Sequence, residues 1–99
     1  METKQEILTF LKKEKSKLRE NFFVTKIALF GSFAKDKQTK NSDIDLLIEL
    51  DSSASNIHDL KNSLRDYLSD SLGRKIDLAR EKYLKPYAKE HILQEALFV

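Results

Sequence analysis

Three aspartates and one glycine-serine step carry the chemistry this sequence can offer. Asp43 and Asp45 flank a single apolar residue in Asp43-Ile44-Asp45, and Asp77 lies between Ile76 and Leu78. Strands are depleted in Asp, so carboxylates set into apolar, strand-like runs need an explanation. Alternate residues of a strand share a face, their Cα atoms about 6.6 Å apart over two rises. Asp43 and Asp45 therefore project together, and Asp77, whose neighbours face the core, can join them from a second strand. Three carboxylates gathered this way repel one another unless cations lie among them. Their hard oxygens select Mg²⁺, or Mn²⁺ in its place. Taken alone, Asp43 as a cap on the Asn41-Ser42 turn and Asp45 as a solvent-facing residue would also account for the triplet. Gly31-Ser32 changes the balance, because it follows the apolar run Ile27-Ala28-Leu29-Phe30. A Gly at a strand-to-helix turn lets the backbone approach phosphate oxygens, and a Ser hydroxyl with the following amides can hold them. A phosphate cradle beside a cation-binding strand is the layout of a nucleotide site.

The elements that must position these residues are legible in the periodicity. Thr3 followed by Glu6 has capping-box spacing, and Ile7, Leu8, Leu11 and Leu18 recur at helical intervals, which predicts a helix from about Lys4 to Glu20. Lys26 to Phe30 reads as a buried strand stopping at Gly31, with a short helix starting in Ser32 to Lys37. Asp43 to Leu50 alternates, with Ile44, Leu46, Ile48 and Leu50 on one face and Asp43, Asp45, Leu47 and Glu49 on the other. Ile57, Leu60, Leu64, Leu68 and Leu72 predict a second long helix over about Asn56 to Leu72, with Gly73 at a left-handed cap. Lys75 to Ala79 reads as a third strand. Pro86 suits the first turn of a last helix carrying Ala88, Ile92, Leu93, Ala96 and Leu97. The expected architecture is α/β (α+β): a small mixed sheet with helices on its apolar face, the other face left free for the site.

Composition narrows the function classes. Ninety-nine residues without long linkers fit one domain spanning 1–99. With no Cys, a thiol nucleophile and a zinc ribbon are excluded, and a reducing compartment is expected. A net charge of +2 is too balanced for binding driven by phosphate neutralisation, so no direct nucleic-acid partner is expected. The longest apolar runs fall far short of a membrane span, and the charged segment Met1 to Glu20 has no apolar stretch of the signal-peptide kind. These features together lead to the expectation of a soluble cytoplasmic protein without a membrane partner.

Gly31-Ser32, ten residues, then Asp43-Ile44-Asp45 resembles the signature of the polymerase β-type nucleotidyltransferase superfamily. The short length and Leu29-Phe30-Gly31-Ser32-Phe33-Ala34 resemble in particular the minimal nucleotidyltransferases (MNT), encoded beside HEPN-domain partners. The resemblance extends through Lys75-Ile76-Asp77-Leu78 and the closing Ile92-Leu93-Gln94-Glu95-Ala96-Leu97. One departure stands out: many relatives carry Arg-Gly after the counterpart of Ala34, where this chain has Lys35-Asp36, which keeps the charge without the guanidinium fork.

The resemblance implies that Asp43 and Asp45 bind two Mg²⁺ ions, and that Asp77 binds the catalytic ion and helps orient or deprotonate an acceptor hydroxyl. Gly31, Ser32 and Lys35 would contact ATP. The implied reaction is transfer of AMP to a tyrosine hydroxyl of a HEPN ribonuclease toxin, this chain being the antitoxin in a hetero-oligomer with it. An antitoxin acting by binding alone, or a transferase acting on RNA or a small molecule, are the alternatives. His58 and His91 lack ligand-spaced partners and are expected at the surface or an interface. Tyr67, Tyr83 and Tyr87 are expected to be partly buried or at an interface.

Overall fold

The structure, a computed structural model, describes residues 3–99. Met1 and Glu2, part of the charged N-terminal segment, lie outside them. The chain order is α1 (Lys4–Phe22), β1 (Val24–Phe30), α2 (Gly31–Ala34), β2 (Ile44–Leu50), α3 (Ile57–Leu72), β3 (Ile76–Arg80), a 3₁₀ turn (Glu81–Tyr83), α4 (Pro86–Glu95) and β4 (Leu97–Phe98). The strands form one mixed sheet in the order β3-β2-β1-β4. β1 runs antiparallel to β2 and to β4, and β2 runs parallel to β3.

Local chemistry starts and stops the helices. The Thr3 hydroxyl accepts the Glu6 amide at 3.1 Å, and the Glu6 carboxylate accepts the Thr3 amide at 3.1 Å. This capping box satisfies two otherwise orphaned donors and contributes about 1 kcal/mol. Gly73 ends α3 at φ +71°, its amide donating to the Ser69 carbonyl at 2.8 Å. Pro86 opens α4, where its missing amide is not needed.

The core fills one face of the sheet. Ile7, Leu11 and Leu18 of α1 and Leu64, Leu68 and Leu72 of α3 cluster with Ile27 and Leu29, with Ile44, Leu46 and Ile48, with Ile76 and Leu78, and with Phe33 of α2. Each such side chain, fully removed from water, stabilises the fold by roughly 1.5–3 kcal/mol.

Two elements depart from the sequence reading. The last helix ends at Glu95 and does not carry Ala96 and Leu97; Leu97 and Phe98 instead pair with Leu29 and Ala28 as the edge strand β4. A two-residue strand has no period of its own, and its pairing with β1 overrides the helical pattern. The second sheet face is also not wholly open. Leu47, expected beside the aspartates on the free face, is 1% exposed, and Ala28 across from it is 0% exposed. Both are buried apart from the main cluster. Along the strands this face changes character, from Phe30, Asp45 and Asp77 in one row, through Phe98, Ala28, Leu47 and Ala79, to Lys26 and Glu49.

Candidate active site

The acidic row is a product of strand register. Phe30 pairs with Asp45 across β1 and β2, and Asp45 pairs with Asp77 across the parallel β2 and β3. Direct neighbours in adjacent strands lie about 4.8 Å apart and share a face, so Asp45 and Asp77 stand side by side. Because β1 ends at Phe30, the next residue, Gly31, turns the chain into α2 right beside Asp45. Gly31 has φ +75°, and an ideal β-carbon there would fall 2.9 Å from Asp45 Cγ and closer still to Oδ2. Both requirements leave only Gly: the left-handed backbone and the absent side chain. Ser32 follows in the first turn of α2, where helix geometry leaves amides without intrahelical acceptors.

Asp45 is the electrostatic centre of the group. Its partial burial holds its carboxyl above the ordinary value of 3.8, and the negative charges of Asp77 and then Asp43 push it further the same way. The charged form is thus disfavoured by its surroundings, and a cation would reverse that. The donors are all hard carboxylate oxygens, which suits Mg²⁺ or Mn²⁺.

Asp43 departs from its expected place. β2 begins at Ile44, so Asp43 lies just ahead of the strand, half exposed, its Oδ2 3.9 Å from Lys75 Nζ. Among the described residues, no group of three or more His, Cys, Asp or Glu is gathered so as to hold a metal ion as placed. Asp45 and Asp77 are adjacent, and Asp43, near enough for its charge to act on Asp45, has Lys75 beside it. Lys35 follows the single turn of α2, and its ammonium is 3.1 Å from Glu95 Oε1 of α4. His91 Nε2 reaches the same Glu95 oxygen at 3.4 Å. His58 lies at the surface beside Asn62. Asp36 takes φ +57° and pairs with Lys4 at 2.9 Å. Asp is among the few residues that visit this region at modest cost.

Tyr83 and Tyr87 are 70% and 77% exposed, not partly buried, while Tyr67 is half-buried and donates to Glu14 at 3.1 Å. At the far end of the same sheet face, Glu49 accepts from Arg80 Nη2 at 3.0 Å and from the Lys82 amide at 2.9 Å. A cavity of about 500 Å³ opens there, lined among others by Lys26, Glu49, Arg80 and Tyr83. None of Asp43, Asp45 and Asp77 lines it, so the concavity and the acidic row are separate features.

Arg74, in the turn between α3 and β3, was not singled out by any motif. Its Nη1 donates to the carbonyls of Thr39, Lys40 and Ser42 at 3.3, 3.1 and 2.9 Å, and its guanidinium stacks on the Phe33 ring at 5.0 Å. An Arg directly after a helix-capping Gly is the only sequence signal it gives.

Residues 5–99 match the nucleotidyltransferase domain family. The chain belongs to that family. This nucleotidyltransferase is 41% identical over the whole length of both chains to MJ0128 of Methanocaldococcus jannaschii, whose name marks it as a candidate protein adenylyltransferase. It is 32% identical to the protein adenylyltransferase MntA of Thermococcus cleftensis, covering 100% of this chain and 98% of that one. Among solved structures it matches a chain of a toxin–antitoxin complex with AMP-PNP, with a TM-score of 0.69 and 25% identity, covering 88% of this chain and 69% of the other. The small mixed sheet expected from the sequence is the fold of this family. No described helix is long and apolar enough to cross a membrane.

Proposed function

We propose that this nucleotidyltransferase moves AMP from ATP to a tyrosine hydroxyl of a HEPN-domain toxin, and that the modification makes it the antitoxin of that partner. The observation that carries the reading is the meeting of Gly31 with Asp45 beside Asp77, which puts a side-chain-free backbone turn against paired carboxylates. The full-length likeness to adenylyltransferases supports the transferred group, and the AMP-PNP complex supports ATP as donor and a toxin as partner.

In this reading Asp43, Asp45 and Asp77 would hold two divalent cations. When bound, those ions neutralise charge on the phosphates and sharpen the attacking oxygen. Gly31 leaves room for the phosphates, and Ser32 with the first amides of α2 orients them. Lys35 directly follows α2 and can exchange Glu95 for a phosphate oxygen. The acceptor oxygen forms a bond to the α-phosphorus, the bond from that phosphorus to the bridging oxygen breaks, and pyrophosphate departs. The hydroxyl proton passes to Asp77, which is exposed to the solvent that finally takes it.

The test is incubation with labelled ATP, MgCl₂ and the candidate HEPN-domain toxin, followed by peptide mapping of the label. The expected result is AMP on a partner tyrosine. Label on RNA or on a small molecule would assign a different acceptor, and neutralisation of the partner without any label would make this chain an antitoxin by binding alone.

A further inference from the structure

The loop between α2 and β2 ends at Asp43, and it forms no helix or strand from Lys37 to Asp43. It is braced from within, where the Ser42 amide donates to the Thr39 carbonyl at 3.1 Å and the Thr39 amide to Ser42 Oγ at 2.9 Å, and from outside by the α3–β3 turn. Arg74 Nη1 holds the carbonyls of Thr39, Lys40 and Ser42, and the Lys75 carbonyl accepts the Ile44 amide at 2.9 Å. Asp43 is thereby fixed on both sides, through the carbonyl before it and the amide after it. The same guanidinium covers Phe33, the fully buried residue that follows Ser32. Arg74 is itself held, since Ser69 Oγ donates to its carbonyl at 2.9 Å.

One side chain therefore spans the two halves of the candidate site, the glycine-serine turn and the first aspartate. A guanidinium suits this because its flat face stacks on the Phe33 ring while Nη1, in the same plane, donates to the carbonyls; a tetrahedral ammonium has no such face. We infer that Arg74 is a positioning residue, setting Asp43 and the Ser32 turn in register for a metal-bound nucleoside triphosphate. The inference rests on the proposed function of the acidic row.

The test uses binding, not turnover. The affinity for AMP-PNP with MgCl₂ is measured by calorimetry on the full chain and on Arg74→Ala, Arg74→Lys, Asp45→Asn and Leu11→Ala, the last as a fold-weakening control remote from the loop. Arg74→Ala should bind about 10- to 100-fold more weakly, the usual effect of removing a group that orients ligands from behind. Millimolar guanidinium should restore much of that affinity, and Arg74→Lys should recover only part of it. Amide exchange should quicken from Thr39 to Asp43 and stay slow from Leu46 to Ile48.

Unchanged affinity in Arg74→Ala would overturn the inference. So would a loss equal to that of Leu11→Ala and insensitive to guanidinium, since that is a stability effect. If Asp45→Asn also binds normally, the acidic row is not the nucleotide site, and the reading beneath the inference fails instead.

Discussion

The α-carbon of Gly31 rests against the carboxylate of Asp45, with no room between them for a β-carbon. Gly73 provides the control. It has nearly the same backbone angle, φ +71° against +75°, but nothing lies within 4 Å of the place its β-carbon would take. Ala at either position meets the left-handed penalty of roughly 1–2 kcal/mol. Gly73→Ala should lose only that stability and keep its affinity for Mg²⁺·AMP-PNP. Gly31→Ala should also displace Asp45 and lose most of the affinity. Equal affinities in the two variants, by calorimetry, would remove the Gly31–Asp45 contact from the account.

Asp45 is destabilising when ionised and unliganded. Its native carboxyl is raised by burial and by Asp77 and Asp43, so the folded state binds its proton more tightly than the unfolded chain does. The contribution of such a group falls as pH rises from the ordinary value of 3.8 through the raised one, and the penalty is complete above it. Asp45→Asn should therefore melt higher than the parent at neutral pH without metal, with the gain vanishing below about pH 3, where the carboxyl is neutral in both states. A lower melting temperature for the variant at neutral pH would make Asp45 structural.

Glu49 behaves oppositely. Burial works to raise its pKa, but hydrogen bonds from the Lys82 amide, the Arg80 side chain and the Leu50 amide outweigh it and leave the group lowered from 4.5. Its contribution is present above that ordinary value and lost as pH falls through the lowered one. Glu49→Gln should cost about 1.5–3 kcal/mol at neutral pH, the range for hydrogen bonds to a charged group. Nucleotide affinity should not change, because Glu49 lies two rows from Asp45. Urea titration beside calorimetry separates the two effects.

Lys35 reaches Glu95 at 3.1 Å, and both side chains retain contact with solvent. Such a pair contributes no more than about 1 kcal/mol, so Glu95→Gln should barely alter the melting temperature. It should tighten Mg²⁺·AMP-PNP binding if Lys35 serves the phosphates, since the ammonium no longer has an anionic competitor. Weaker binding in Glu95→Gln would assign Lys35 to fastening α4.

The parts legible in the sequence were those decided locally. The Thr3-Glu6 box, the leucine spacing of α3 and the Gly73 cap each follow from contacts within a few residues. Strand alternation correctly faced Asp45 and Asp77 away from the core. Their standing as register partners depends on how β2 meets β3, which no local pattern encodes. Leu47 was misread because its burial comes from what covers the second face, and β4 because Leu97 and Phe98 are strand only through β1. Arg74 leaves no motif in the sequence because the partners of its Nη1 are backbone carbonyls more than thirty residues away, and carbonyls have no residue type to read.

Asp45 and Asp77 are the proposed centre of AMP transfer to a partner protein. The decisive measurement is intact-mass spectrometry of the proposed HEPN-domain partner after incubation with ATP, MgCl₂ and this chain, comparing the parent with Asp45→Asn and Asp77→Ala, each first shown by circular dichroism to be folded. If that assignment holds, AMP mass is added with the parent and with neither variant, although Asp77→Ala still binds AMP-PNP. Undiminished AMP addition by both folded variants would contradict it.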